Sequence, residues 1–426
     1  MSTPPLTVHE AVQRNSLNEH RRVVVGIVGE VSAGKSTLLN ALLASTLSGT
    51  HMRRTTMAPT VYLEAEPGGV GSNGCLAQDQ KDILALVQQR DSAMYERGGT
   101  DVSMTDTAMA FVVPPVKNIG KRGNADVKYA FVDVPGLNDA ATDSKIRKWL
   151  GVNLPAMDVV VFVIDGTSAM NTKSEKEALQ LVVEGIAKAG KYKSISLLVV
   201  FNKMDDPLVD EMRGMWAQAQ KAVHAAVVNH IGLFAMVAMS AELSYLYRVA
   251  LVASDAALLD DKRFARLAQQ ELGAKWKAAP FDRASVFTKV YASLRERDGL
   301  FAECGWAALV GALETTVGNR VDEIVGSRLA AKIATSVDTL IATMTCVNHQ
   351  SSGQRNAGNG LFVCGCCGMP ATLNKDCHVF FKTVLSDLQV LPLKGPAMAL
   401  NEAIIRLVTA MFARTPLNAT DVTDLA

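Results

Sequence analysis

The feature that most constrains this chain is a glycine-rich loop set between a strand and a helix. Residues 23–28 form an apolar run typical of a buried strand, and residues 29–36 follow with the sequence GEVSAGKS. An apolar helix is predicted to begin near Thr37. Glycines allow backbone N–H groups to close around phosphate oxygens, Lys35 adds a positive charge, and the Ser36 hydroxyl can ligate Mg²⁺. The spacing therefore predicts a P-loop that binds a nucleoside triphosphate. The predicted contacts in this segment are Gly29, Ser32, Ala33, Gly34, Lys35, Ser36 and Thr37.

A second apolar segment, residues 127–132, ends in Asp133, Val134, Pro135 and Gly136. An acidic residue that leaves a buried strand just before a glycine is where P-loop NTPases hold a carboxylate for Mg²⁺. An ordinary turn would have the same composition. With the P-loop upstream, the pattern favours Asp133 as a Mg²⁺ residue and Gly136 as a nucleotide contact.

A third strand, predicted at residues 194–201, leads into the tetrapeptide NKMD at 202–205. The carboxylate of Asp205 can accept two hydrogen bonds from the N1–H and N2 amino edge of guanine, which adenine does not offer. A further strand, 234–238, precedes Ser240 and Ala241, whose backbone is suited to support the guanine oxygen. These motifs in this order predict GTP in place of ATP, with contacts from Asn202, Lys203, Asp205, Ser240 and Ala241.

The motifs together resemble those of the dynamin superfamily of large GTPases. Ser32 stands three positions before Lys35, and DVPG at 133–136 replaces the DTAG of small Ras-like proteins. The segment 53–60 carries a Thr-x-x-Pro pattern from Thr56 to Pro59. The resemblance implies that Thr56 is the switch threonine that binds Mg²⁺ together with Ser36 and Asp133. Thr55 and Thr60 are the alternatives.

The resemblance also identifies what this chain lacks for hydrolysis. Val31 stands where dynamins carry a glutamine that positions the attacking water, and Leu137 occupies the place of the Ras-type catalytic glutamine. The remaining catalytic candidates are Lys35, Ser32 and Thr56. Slow hydrolysis by the lone domain is expected, with stimulation by dimerisation across the nucleotide face. The alternative is a nucleotide-binding switch with negligible turnover.

The chain of 426 residues is too long for one ordinary core and is predicted to have three parts. Residues 1–21 are an N-terminal segment, and 22–318 form an α/β GTPase domain with a mostly parallel sheet flanked by helices. A long insert with a helix at 80–95 and a strand at 108–113 fits the larger dynamin-type domain. Residues 319–426 are predicted to be helical, because apolar residues recur every four positions from 321 to 341 and helices are expected from 379 and over 397–414.

A Cys/His-rich loop at 346–378 interrupts the helical region and contains five of the seven cysteines. Three interpretations are open. A structural zinc site would use the paired spacing of its ligands; these are Cys346, His349, Cys364 and Cys367. Alternatively, residues 361–363 beside clustered cysteines insert into a membrane or are acylated. The third interpretation is a loop with no role.

Charge gives little indication of the partner, since 43 Lys+Arg offset 42 Asp+Glu. We expect no nucleic-acid binding, because no basic patch with interleaved aromatic residues is present. The absence of a secretory signal pattern and of long apolar runs predicts a cytoplasmic protein, in peripheral contact with a membrane at most. The resemblance implies homodimerisation or higher self-assembly, switched by GTP and GDP. The other hypotheses are a soluble immunity-related-type GTPase, an RNA- or ribosome-associated GTPase, and a zinc-stabilised module that uses GTP as a switch.

Overall fold

The structure is a computed structural model. It describes residues 22–48, 56–65, 79–96, 104–116, 128–138, 143–189, 195–205, 210–232, 234–277, 282–318, 320–321, 324, 353–355 and 362–364. The chain divides into two compact units, Met1–Val321 and Asp322–Ala426.

The first unit is built on a seven-stranded sheet in the order β3-β2-β4-β1-β5-β6-β7. The strands are β1 Arg22–Gly29, β2 Thr60–Glu64, β3 Met109–Val113, β4 Lys128–Asp133, β5 Val159–Asp165, β6 Ser196–Asn202 and β7 Phe234–Ala238. Strands β4, β1, β5, β6 and β7 are parallel to one another. β2 is antiparallel to β4 and parallel to β3. The predicted mostly parallel α/β sheet is confirmed.

Helices lie between most consecutive strands of the described chain. The α-helices are α1 Lys35–Leu43, α2 Gln80–Glu96, α3 Met104–Thr107, α4 Asp143–Asn153, α5 Lys173–Ala189, α6 Asp210–Val227, α7 Ala241–Arg248, α8 Asp261–Leu272, α9 Arg283–Glu296, α10 Leu300–Glu303 and α11 Trp306–Leu313. Short 3₁₀ turns occupy Leu154–Ala156, Ala256–Leu258 and Gly273–Lys277, and π-turns occupy Val249–Ala253 and Glu314–Gly318.

The central strands are buried along their whole length, which is why their sequences are continuous apolar runs. Every residue of β1 and of β6 is buried. A parallel sheet covered by helices on both faces leaves no solvent-facing side, so strand residues do not alternate between apolar and polar. Because β1, β4 and β6 are parallel, their carboxyl ends lie at one edge of the sheet. The P-loop, DVPG and NKMD each follow one of these ends.

Most predicted element boundaries agree with the structure to within about two residues. The difference between prediction and structure that matters most for the site is the start of the first helix, which begins at Lys35 and not near Thr37. Gly34 adopts a left-handed conformation with φ 95° and is the residue that ends the loop. Lys35 and Ser36 thus lie in the first turn of α1, where helix N–H groups have no partner inside the helix.

The second unit contributes a small antiparallel pair, β8 Gly353–Arg355 with β9 Phe362–Cys364, in which Gly353 lies opposite Cys364. This pair falls within the predicted loop 346–378. The N-terminal segment 1–21, most of the apolar stripe 321–341, and the helices expected from 379 and over 397–414 lie outside the described residues.

Candidate nucleotide site

The P-loop is held in shape by two glycines that other elements approach too closely for a side chain. A Cβ on Gly29 would lie 2.4 Å from the backbone oxygen of Val163, and a Cβ on Gly34 would lie 2.1 Å from Asn202 Nδ2. Ser32 has a positive φ of 63°, a conformation that L-residues rarely adopt. Gly34 offers no capping side chain to α1. The first N–H groups of α1 are therefore available to phosphate oxygens, and the helix dipole favours negative charge there.

Lys35 lies inside the loop and is only 6% exposed. Its Nζ donates a hydrogen bond of 2.6 Å to the backbone oxygen of Glu30. Burial lowers the pKa of Lys35 to about 8, against the opposing influence of the Asp133 and Glu30 carboxylates. Among the described residues, this buried ammonium contacts a backbone oxygen and forms no ion pair with a carboxylate. A triphosphate would therefore supply the negative charge that the ammonium favours.

Ser36, Thr56 and Asp133 come together at the end of β4. Asp133 Oδ2 accepts hydrogen bonds from Thr56 Oγ1 at 3.2 Å and from Ser36 Oγ at 3.4 Å, and the two hydroxyls lie 3.1 Å apart. Three oxygen donors from the P-loop helix, the switch segment and a central strand thus meet at one point. This is the donor set that Mg²⁺ prefers.

The carboxylate of Asp133 has the properties expected of a group that binds a cation. Burial raises its pKa, while the positive charge of Lys35 and hydrogen bonds from Ser48 and Thr56 act in the opposite direction. Asp133 Oδ1 is buried and has no hydrogen-bond partner within the described part of the chain. A buried, unpaired carboxylate oxygen is costly, so the residues present fit a divalent cation.

Ser48 is a site residue that the sequence motifs did not indicate. Its Oγ donates to Asp133 Oδ2 at 3.0 Å. The side chain of Asn40, in α1, positions it: Asn40 Oδ1 accepts from the backbone N–H groups of Leu47 and Ser48, and Asn40 Nδ2 donates to the Ser48 oxygen. In the sequence, the one indication was the amide side chain of Asn40 within the apolar run LLNALL. Its role is recognisable only when the turn after α1 is known.

The two positions at which the resemblance places a water-positioning glutamine are apolar here and differ in burial. Leu137 is fully buried, and its N–H donates to the Gly29 oxygen at 3.1 Å. Val31 is 38% exposed and lies against Gly136, where a Cβ would come within 2.6 Å of Val31 Cγ2. Neither side chain can donate or accept a hydrogen bond from water.

Polar groups instead gather at the next residue, Asn138, which has a positive φ of 66°. Its Nδ2 donates to the Glu30 carboxylate and, at 2.9 Å, to the Ser174 oxygen, while its Oδ1 accepts from Arg147 at 2.9 Å. Arg147 also pairs with Asp143 one helical turn earlier. This network ties the segment after DVPG to the second residue of the P-loop.

At the other end of the site, Asn202 connects the P-loop with the Ser240–Ala241 motif. Its Nδ2 donates to the Ala33 oxygen at 2.9 Å, and its Oδ1 accepts from the Ala241 N–H at 2.8 Å. Lys203, with φ 65°, forms an ion pair with Asp165 at the end of β5. Asn202 is therefore a brace between the phosphate and base regions, a role that the tetrapeptide alone did not reveal.

Asp205 stands at the surface beside this brace. Its Oδ1 accepts a hydrogen bond from Ser240 Oγ, and its Oδ2 lies 3.5 Å from Arg266 Nη2. Ser240 also caps α7 by accepting from the Leu243 N–H, and its own N–H donates to the Cys304 oxygen at 2.9 Å. The structure thus brings Asp205, Ser240 and Ala241 together at one side of the P-loop.

The zinc ligands proposed from the sequence cannot be located in the same way. Cys346, His349 and Cys367 lie outside the described residues, and Cys364 is the last residue of β9. Within the ranges described, no group of three or more His, Cys, Asp or Glu side chains is arranged to hold a metal ion. No helix in that same part of the chain is long and apolar enough to cross a membrane.

Comparison with known proteins finds a family model that is similar to the part of the chain with most of these residues. Residues 25–204 match the model of the dynamin family. This stretch includes the P-loop, Thr56, DVPG and the first three residues of the NKMD motif, and it makes up less than half of the chain. The chain is also 22% identical over 198 residues to uncharacterized protein R618 of Acanthamoeba polyphaga mimivirus, a match that covers 45% of this chain and 30% of the viral protein.

Solved structures with a similar arrangement are distant. One, described as an oligomerised bacterial dynamin pair that provides a mechanism for long-range sensing and tethering of membranes, has 14% identity and a TM-score of 0.34; the match covers 79% of this chain and 56% of that one. Another, Toc33 from Arabidopsis thaliana, has 10% identity and a TM-score of 0.31, over 68% of this chain and 96% of that one.

Proposed function

We propose that this protein binds GTP with Mg²⁺ and hydrolyses it to GDP and phosphate. The observation that carries the proposal is the meeting of Ser36, Thr56 and Asp133 at the mouth of a P-loop whose opposite side presents Asp205 and Ser240. The two halves supply what a triphosphate and a guanine require, and Asn202 fixes the distance between them.

Each residue has a role that follows from its position. The N–H groups of the P-loop and of the first turn of α1 bind phosphate oxygens, and Lys35 exchanges its contact with the Glu30 oxygen for the outer phosphates. Ser36, Thr56 and Asp133 would together hold Mg²⁺, which would supply positive charge for the phosphates. Asp205 accepts the N1–H and N2 amino groups of guanine. The Thr56 carbonyl would orient the attacking water, and Ser32 would help to hold a charge-compensating cation or its substitute.

Turnover by the isolated domain is slow, because Val31 and Leu137 cannot position water. We propose that a second copy completes the site across the nucleotide face. The test is GTP turnover per molecule at protein concentrations from well below to well above micromolar, with Ser36→Ala as an inactive control. A rise with concentration supports the proposal, and a constant rate contradicts activation by self-association.

Binding itself is tested separately, with fluorescent GTP, GDP and ATP analogues in the presence and absence of Mg²⁺. We expect guanine nucleotides to bind, ATP to bind much more weakly, and Mg²⁺ to matter more for GTP than for GDP. Equal affinity for ATP would contradict the assignment of the base site.

We further propose that the GTP state engages a membrane or another scaffold; the support is the similarity of residues 25–204 to the dynamin family model. Sedimentation with anionic liposomes, with and without a non-hydrolysable GTP analogue, tests this role. Co-sedimentation that depends on the analogue supports it. A protein that neither pellets nor changes its turnover with lipid is a soluble GTPase switch, the alternative function.

The zinc site at Cys346, His349, Cys364 and Cys367 remains a separate prediction. Metal analysis of protein purified under reducing conditions tests it. About one equivalent of zinc, lost in a Cys346→Ser variant, is the expected result for a tetrahedral structural site, and absence of zinc contradicts it.

A further inference from the structure

Helix α2, in the insert between the switch segment and DVPG, carries two adjacent buried charged residues. Arg90 is 8% exposed and Asp91 is 6% exposed. Arg90 Nε donates to Asp91 Oδ1 at 2.9 Å, and the two side chains form an ion pair. Neighbours on a helix do not usually face each other, so this pairing needs both side chains to turn toward the same wall of the domain.

That wall is the switch segment. Arg90 Nη2 donates to the backbone oxygen of Ala58 at 3.1 Å and to Thr60 Oγ1 at 3.0 Å, and Arg90 Nη1 donates to the Pro59 oxygen at 3.3 Å. One planar guanidinium thus satisfies three acceptors on three consecutive residues, which a lysine ammonium could not do with the same geometry.

The contacts matter because the held residues lead directly to the proposed Mg²⁺ site. Thr60 begins β2 and lies opposite Asp133 in the β2–β4 register. Thr56 is four residues earlier, and each residue spans at most about 3.5 Å, so fixing 58–60 restricts where the Thr56 hydroxyl can lie. In the structure that hydroxyl contacts both Ser36 and Asp133.

Burial of this ion pair is costly. Its contacts are therefore expected to fix a backbone conformation that apolar packing alone would not fix. Asp91 Oδ2 is buried and has no hydrogen-bond partner among the described residues. Burial raises the pKa of Asp91 to about 6 although the Arg90 charge opposes the shift. A buried ion pair is weak support for stability but can select one conformation of the backbone that it contacts.

We propose that Arg90 and Asp91 are positioning residues that clamp residues 58–60 and thereby hold Thr56 in the conformation that binds Mg²⁺. The insert helix α2 then controls the switch: a movement of α2 releases Thr56 without any change in the P-loop. This inference deepens the proposed GTPase function and rests on it for its catalytic consequence, but the clamp itself is a property of the nucleotide-free chain.

The first test is hydrogen–deuterium exchange of the nucleotide-free full chain. Arg90→Lys retains the charge and loses the planar fork, and we expect its amides in 56–65 to exchange about tenfold faster while those of β1 and β6 stay unchanged. Leu294→Ala in α9 is the matched control, since Leu294 is buried in a helix that packs against α8 and its loss should not affect 56–65 selectively. Unchanged exchange in 56–65, or equal acceleration throughout the domain, would overturn the clamp.

Asp91→Asn is the second variant and guards against misfolding of the first. Its Oδ1 still accepts from Arg90 but the charge is gone, so it should accelerate exchange in 56–65 by less than Arg90→Lys does. An Asp91→Asn variant with exchange like that of the unmodified protein, together with an unfolded Arg90→Lys, would contradict the proposal.

Enzyme kinetics distinguish a positioning role from a purely structural one. For Arg90→Lys we expect kcat for GTP to fall about tenfold with KM within about twofold, and GDP affinity to stay unchanged, because GDP does not need the switch threonine. Equal losses for GTP and GDP would overturn the positioning role. If the unmodified protein binds neither nucleotide, the proposed function fails, and the exchange in 56–65 still decides whether the clamp exists.

Discussion

The two ends of the proposed nucleotide site differ in burial. At the phosphate end, Lys35 and Asp133 are 6% and 0% exposed, and both have shifted pKa values because of burial. At the base end, the side chains of Lys203 and Asp205 are 38% and 49% exposed. The charged side chains of the phosphate end are therefore buried in the absence of ligand, whereas those of the base end are partly exposed to solvent.

Because of this difference, the phosphate end lowers the stability of the fold, while the base end determines which base binds. A buried unpaired charge destabilises the folded chain because the protein interior has a low dielectric constant. The same low dielectric constant strengthens the electrostatic interaction of that charge with a ligand. An exposed carboxylate costs almost nothing to keep, and discriminates by the geometry of the hydrogen bonds it accepts. Removal of a buried charge at the phosphate end should thus change stability and binding in opposite directions, and substitutions at the base end should change specificity alone.

The largest effect is expected for Lys35→Met. GTP affinity should fall about 100-fold or more, because a charge-assisted contact to the phosphates is lost. The free energy of unfolding should rise by about 1–3 kcal/mol at pH 7, because a desolvated ammonium is replaced by an apolar chain of similar length. Fluorescent-nucleotide titration and urea unfolding measure the two changes. A variant that loses both affinity and stability would break the comparison.

Asp205→Asn should invert base preference with little change in stability. Asparagine offers a donor where guanine has a donor, so GTP should weaken about 100-fold and xanthosine triphosphate should bind instead. Competition between the two nucleotides measures the switch. Asp261→Asn, at an exposed aspartate on α8, is the control and should leave preference unchanged. A variant that still prefers GTP would contradict the guanine assignment.

The pKa of Lys35 makes GTP binding depend on pH. Below about pH 8 the free protein already carries the charge, and above it binding must take up a proton, so affinity should fall about tenfold by pH 9. The Lys35→Met variant should show no such fall, which separates Lys35 from any titration of the nucleotide. Because this folded-state pKa lies below that of an unfolded lysine, the free energy of unfolding should rise between about pH 8 and 10.

The smallest predicted effect concerns Ser48, which supports Asp133 from the turn after α1. Ser48→Ala removes one hydrogen bond, of about 1 kcal/mol, and should weaken the apparent Mg²⁺ affinity in the GTP complex two- to fivefold, an order-of-magnitude expectation. Ser45→Ala is the matched control, since Ser45 Oγ is equally buried and has no partner among the described residues. Equal effects of the two substitutions would remove Ser48 from the site.

Much of the fold could be predicted because the decisive signals are local. Fully buried strands are continuous apolar runs, and β7 matched its predicted bounds of 234–238. The P-loop, DVPG and NKMD all follow strand ends, and parallel strands place their carboxyl ends at one edge, so their proximity was predictable as well. The antiparallel direction of β2 was not, because strand direction depends on pairing between distant segments and leaves no mark on a five-residue run.

The amino-acid sequence alone determined the chemistry at this site: the glycines, the lysine, the hydroxyls and the carboxylates are specified by type and spacing. Only the tertiary structure decided what holds them. Asn202 braces the P-loop from β6, Ser48 reaches Asp133 from beyond α1, and Arg90 binds the switch from the insert helix. These contacts join residues that are between 32 and 169 positions apart, and such pairings depend on how the elements pack, which no local pattern encodes.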